Sequence, residues 1–399
     1  MNRLGFITVV FAFLTQTSCT HFQGGYNSRD NSKIELKPVW IQNTLSQKNP
    51  EFRKINRFSP LFDARENLVI AANSIDGLVG YNLNYTGGAN ISPDRVDRSV
   101  RWKLKINYGV EAPGVLARGI LYVGGLSGSM YAVKISDGTI IWEFPTSAEI
   151  VAEPVLHRDQ IYFMNGANQV FALNVDDGKQ IWAYNRQDAS TGMSVRGGSK
   201  PSISGSTIYF GFSDGSLVAL ALSTGTPQWE VQLNRNSRFK DIDSSAVVMG
   251  NFIYVNSYDD HLYCLNKQTG QIVWKTKVGG TSSPLIVGDR LVFSASNGSV
   301  VGIDRSTGTV IWNYKDIQGI ATDVLSYKGL VIFGESQGSL KALDLLSGEK
   351  KASFEPGRGI FNKPTLIEDD ASIVFMSNEG NLYQVQITYP SAHGLTFLR

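Results

Sequence analysis

Residues that commonly carry chemistry are few and scattered along this chain of 399 residues. Its four histidines, His21, His157, His261 and His393, share no spacing that would aim two imidazoles at one metal, such as His-Glu-x-x-His. Gly124-Gly125-Leu126-Ser127-Gly128 is only a broken form of a serine nucleophile motif, and comparable glycine turns recur all along the chain, which marks hairpin geometry. The one constellation with directed chemistry is polar binding chemistry. Met193-Ser194-Val195-Arg196-Gly197 sets a guanidinium between apolar side chains, and Asp241-Ile242-Asp243 offers two carboxylates. Such a set suits charge-assisted, hydrogen-bonded docking of a protein. Two roles stay open for Arg196: an anchor for a partner, or a brace that pairs with Asp241 or Asp243 to stiffen the loops. They are compatible, since a preorganised arginine binds better.

The elements that position these residues follow from a repeat. A tryptophan stands four residues after a glycine at Gly138/Trp142, Gly178/Trp182, Gly225/Trp229, Gly270/Trp274 and Gly308/Trp312. The interval of roughly 40–45 residues is the length of four short strands with tight turns, one propeller blade. Each unit opens on a segment such as Pro60-Leu-Phe62, Pro113-Gly-Val-Leu116, Pro154-Val-Leu156, Pro201-Ser-Ile203, Pro284-Leu-Ile-Val287 or Pro364-Thr-Leu-Ile367. Proline, lacking a ladder donor, fits the first residue of a strand. With Ser245-Ala246 and Asp323-Val324 standing in for proline, there are eight starts.

These features predict an all-β chain, an eight-bladed β-propeller over residues 38–390. The last unit ends without a tryptophan strand, while Pro38-Val39-Trp40 has one without the rest, so the N-terminal strand closes the ring. Closure covers two edges that an open array would leave unpaired. Trp40, Trp102, Trp142, Trp182, Trp229, Trp274 and Trp312 then share one structural docking position, and repeat seven has Ala352 there. Each buried tryptophan contributes roughly 4–6 kcal/mol before entropy is subtracted. Cys264 falls where other repeats hold Ala132, Ala172, Ala219, Gly302 and Ala342, a tight packing spot for a small residue.

Between blades the connections from Trp182 to Pro201 and from Trp229 to Ser245 are longer than the others. They neighbour one another around the ring and carry the Arg196 and Asp241/Asp243 segments. Extended loops on a rigid scaffold commonly bind. Elsewhere, an insertion from Tyr85 to Arg101, rich in Gly, Asn and Asp, interrupts the first repeat. A formal net charge of +2, with no basic stripe and interleaved aromatics, excludes a nucleic-acid footprint.

Residues 1–18 read as a secretory signal: Met1-Asn2-Arg3, an apolar run from Leu4 to Leu14, then Thr17-Ser18. The run is too short to span a bilayer, which takes about 20 residues. Ending in Ser18-Cys19, the segment resembles the lipobox of bacterial lipoproteins, although Gln16 stands where that family usually has leucine. The resemblance implies lipidation of Cys19, outer-membrane sorting because Thr20 is not aspartate, a tether over residues 19–37 and a short tail over 391–399.

The repeats, for example Ala172-Leu-Asn-Val-Asp-Asp-Gly178-Lys-Gln-Ile-Trp182, resemble the tryptophan-docking (PQQ-like) repeats of quinoprotein alcohol dehydrogenases. Those enzymes hold their quinone with a vicinal cysteine pair and a calcium site, and this chain has neither, so the resemblance implies the fold without a cofactor or a metal. Taken together, the lipoprotein start, the ring and the two loops resemble the BamB family, propeller lipoproteins of the outer-membrane β-barrel assembly machinery. That resemblance implies a non-enzymatic scaffold on the periplasmic face of the outer membrane. It assigns Met193, Val195, Arg196, Asp241 and Asp243 to a POTRA domain of the central barrel subunit, with unfolded outer-membrane proteins as further clients. The alternatives are a quinone-dependent periplasmic dehydrogenase and a propeller with another partner.

Overall fold

A computed structural model describes residues 34–44, 57–73, 77–83, 99–186, 198–236 and 240–389. Cys19, Met193, Val195 and Arg196 lie outside these residues, as do the signal segment, most of the tether and most of the 85–101 insertion. The described residues form eight four-stranded antiparallel sheets, arranged as an eight-bladed β-propeller. Seven sheets run in simple chain order. Blade four, for instance, is Ser202–Ser204, Thr207–Gly211, Ser216–Ala221 and Pro227–Gln232 from the hub outward.

The eighth blade takes three strands from the C-terminal end and its outer strand, Glu35–Asn43, from the N-terminal end. Trp40 lies opposite Gln384, after a register shift between Pro38 and Trp40. The other tryptophan strands carry the same shift, with Trp142 opposite Ala132, Trp182 opposite Ala172 and Trp274 opposite Cys264. The bulge turns one residue out and lays the ring of the next flat between blades.

The turn glycine that meets the ring of Trp102, Trp142, Trp182, Trp229, Trp274 or Trp312 belongs to the following blade. A β-carbon on Gly178 would stand 2.7 Å from Cδ2 of Trp142, not of Trp182. Meanwhile Trp142 Nε1 donates to Val175 O at 2.8 Å and Trp312 Nε1 to Leu345 O at 3.0 Å. Each tryptophan therefore fastens its blade to the next one. At the position with no tryptophan, Ala352 opposes Ala342. There Ile34 and Leu36 of the closing strand join the core of blades seven and eight.

Proline stands one residue ahead of the inner strands at Pro60, Pro154, Pro201, Pro284 and Pro364, and two ahead at Pro113, rather than within them. Inner strands of three residues pair along a single edge, so the ladder starts after the proline. Polar groups just before these strands, together with Asn256 on the second strand of blade five, join neighbouring blades. Ser199 Oγ donates to Ser244 O at 3.1 Å, Ser245 N to Ser283 Oγ at 3.0 Å, and Asn256 Nδ2 to Ser282 O at 2.8 Å.

Candidate functional site

One face of the ring carries both the connections between blades and the turns joining the second and third strands within them. Their backbones meet: Thr146 N donates to Gly128 O at 2.8 Å, and Ile150 N to Gly125 O at 3.2 Å. The two long connections emerge on this face on either side of blade four. The turn of blade four, Phe212 to Ser216, meets Arg186 at the start of the first and both ends of the second.

Arg186 directly follows the outer strand of blade three, Gln180–Asn185, and begins the first long connection. Its Nε lies 2.6 Å from Asp214 Oδ2 and its Nη2 2.5 Å from Glu230 Oε1, and its guanidinium carbon is 5.1 Å from the centre of the Phe212 ring. Burial works against the cation, but Glu230 and Asp214 hold its pKa above the ordinary arginine value. Asp214 Oδ1 also accepts from Ser216 N at 3.0 Å, which fixes the turn itself.

The same turn grips the second long connection at both ends. Leu233 N and Asn234 N donate to Gly215 O at 3.0 and 3.1 Å, and Gln232 Nε2 donates to Asp214 O at 2.7 Å. Farther along, Ile242 N donates to Phe212 O at 3.2 Å, and a β-carbon on Gly211 would stand 2.4 Å from Ile242 O. Ile242 is the residue between Asp241 and Asp243. Where the connections reach the hub, the Ser199 to Ser244 hydrogen bond joins them again.

The acidic pair is asymmetric. Asp241 is fully buried and Asp243 partly exposed. Burial, and then the charge of Asp241, push the Asp243 carboxyl up from 3.8 to about 7. Tyr258, at the start of the next turn of blade five, is raised to about 12 by burial and by Asp243 and Asp241, against a lowering by Arg57. Arg57 precedes the inner strand of blade one, across the ring from blade five. Tyr258 thus lies within electrostatic reach of both the acidic pair and Arg57.

Just before the inner strands of blades four and three, Lys200 Nζ lies 2.6 Å from Glu153 Oε1. Burial raises the Asp323 carboxyl, with Lys363 and the Ser283 amide opposing. Among the described residues no group of three or more His, Cys, Asp or Glu is placed to hold a metal ion. The chain's two cysteines are far apart in sequence and Cys264 is buried, so the residues present do not fit a quinone held by a cysteine pair.

The sequence singled out Asp241 and Asp243, which the fold brings together with Tyr258. It passed over Arg186, Phe212, Asp214 and Glu230. The only signal for them was an arginine at the start of a long connection and an acidic turn, and Asp214-Gly215 looks like any other hairpin turn.

The family described as outer membrane protein assembly factor BamB matches residues 76–259 and 239–389. The protein of that name from Escherichia coli (strain K12) is 29% identical over 338 residues, spanning 83% of this chain and 85% of that protein. Its Salmonella typhimurium counterpart is 25% identical over 201 residues, spanning 48% of this chain and about half, 51%, of the relative. Among solved structures, BamB from Moraxella catarrhalis superposes with a TM-score of 0.71 at 22% identity, covering 88% of this chain and 99% of that one. Quinohemoprotein alcohol dehydrogenase from Comamonas testosteroni reaches a TM-score of 0.68 at 13% identity, covering 91% and 78%, a likeness of fold alone.

Proposed function

The chain belongs to the BamB family of outer membrane protein assembly factors, and from that premise we propose that it is a non-enzymatic scaffold docking through one face of its ring to a periplasmic POTRA domain of the barrel-assembly subunit. The observation that carries this reading is the pair of long neighbouring connections held by one turn of blade four, with Asp243 at their edge. In this reading Met193 and Val195 supply apolar contact, Arg196 a charge-assisted anchor, and Asp243 a partly exposed acidic contact. Asp241, being fully buried, shapes the site from beneath. Unfolded outer-membrane proteins are further clients of the ring.

Lipidation at Cys19 anchors the protein on the periplasmic side of the outer membrane. The closing strand starts at Glu35 opposite Thr388 and ends at Asn43 opposite Asn381, with Thr44 N donating to Gly380 O at 3.0 Å. Gly380 belongs to a turn on the docking face, so the chain joins the ring from the opposite face.

The test is a titration of the propeller lacking residues 1–19 against the POTRA region of the same organism's barrel-assembly protein, with Arg196→Glu alongside. Binding that the variant loses supports the reading. Like charges set against each other at an interface cost several kcal/mol. No binding by the folded wild-type protein overturns it.

A further inference from the structure

Arg186 is largely buried at the start of the first long connection and makes no part of the acidic pair, yet its contacts lead there. Its side chain is 12% exposed, too little to meet a partner broadly, and its fork is spent on Asp214 and Glu230. Asp214 belongs to the turn whose Gly215 carbonyl accepts from Leu233 N and Asn234 N. Phe212, under the Arg186 guanidinium, gives its carbonyl to Ile242 N at 3.2 Å. Ile242 is 1% exposed and sets the direction of its neighbours, Asp241 and Asp243.

Resting on the docking reading above, we infer that Arg186 is a positioning residue: through Asp214 and Phe212 it fixes the backbone at Ile242 and so holds Asp243 toward the POTRA partner. A bidentate, desolvated guanidinium gives the geometry that a lysine at this place would not reproduce. Holding the loop ahead of binding spares the ordering cost at the interface. Arg186 also stands at the start of the other long connection.

The proposal is tested with Arg186→Ala, and with the milder Asp214→Asn if the first lowers the melting temperature strongly. Two measurements are made. The first is amide hydrogen exchange at Ile242 and Asp243 in the unbound propeller: faster exchange at these two amides, with the strands of blade four unchanged, is expected. Equal protection in variant and wild type overturns the proposal, whatever any partner does. The second is affinity for the POTRA region, expected to fall about tenfold in Arg186→Ala, a change of 1.4 kcal/mol. That loss is expected to shrink to less than about twofold in an Asp243→Asn background, as for residues acting through one another. An equal loss in both backgrounds means Arg186 acts by itself and overturns the positioning role. Absence of binding by the wild type overturns the docking reading instead, and the exchange measurement still decides the role of Arg186.

Discussion

Trp312 lies flat on Gly348 of the next blade, so close that a β-carbon there would stand 2.7 Å from its Cδ2 atom. Gly348 also has φ of 72°. Gly348→Ala thus meets both a clash with a buried ring and a left-handed backbone that costs an L-residue about 1–2 kcal/mol. It is expected to lower stability by about 2–4 kcal/mol, within the range of overpacked cores. Urea denaturation of the variant beside wild type checks this, and a difference under about 0.5 kcal/mol sinks it.

Blade seven lacks the tryptophan because its neighbour is the blade closed by the N-terminal strand. Blade eight joins Asn381–Thr388 to Glu35–Asn43 across the chain ends, so it has no turn at that place under which a ring would dock. Ile34 and Leu36 are buried there instead, with Ala352 and Phe354 packed against the same cluster. Ala352→Trp should therefore destabilise, unlike a cavity-filling change, by displacing Ile34 and Leu36 from the seam. The expected sign is a lower melting temperature, with limited proteolysis moving to the N-terminal strand. A rise in melting temperature would mean the seam holds an empty tryptophan site.

Period and spacing made the ring legible in sequence, because a blade must repeat the same small-residue, glycine and tryptophan positions to stack. Even Cys264 found its place by aligning with Ala132 and Ala172, and it sits opposite Trp274 as they sit opposite theirs. The partnership within the repeat was not legible. Gly178 and Trp182 are close in sequence, yet Gly178 serves Trp142, since interlocking between blades leaves no local trace. The site was half legible for the same reason. Loop length pointed to Asp241 and Asp243, but Arg186 and Asp214 meet only after blades three and four pack together.

A buried ion pair in blade seven should behave as a unit. Lys341 Nζ lies 2.7 Å from Glu335 Oε1, their side chains 6% and 1% exposed, and the ammonium sits 5.3 Å from the centre of the Tyr314 ring. Glu335 further accepts from Gln318 N at 3.1 Å and Ser339 N at 3.0 Å. Lys341→Met leaves a buried carboxylate without its cation and is expected to cost about 3–5 kcal/mol. Adding Glu335→Gln should recover part of that loss, because the amide needs no counter-charge and its one oxygen still accepts from one of the two backbone donors. Additive losses in the double variant would contradict the pairing.

Asp243 sets stability against binding, and pH separates the two. Its carboxyl ordinarily titrates at 3.8 and in the fold at about 7, because burial and Asp241 oppose the charge. Below about pH 4 it is neutral in both states and costs the fold nothing. Between about pH 4 and 7 the unfolded chain ionises first and binds fewer protons, so stability falls as pH rises, and above about 7 the deficit stays constant. Asp243→Asn should therefore melt higher than wild type at about pH 8, with the gap closing toward pH 4. In the docking reading the ionised carboxylate is the form that meets the partner. Wild-type affinity for the POTRA region should then rise from about pH 6 to 8, while that of Asp243→Asn stays low and flat. A melting difference independent of pH would show that Asp243 is charged throughout, and a parallel rise in affinity for both proteins would place the titrating group elsewhere.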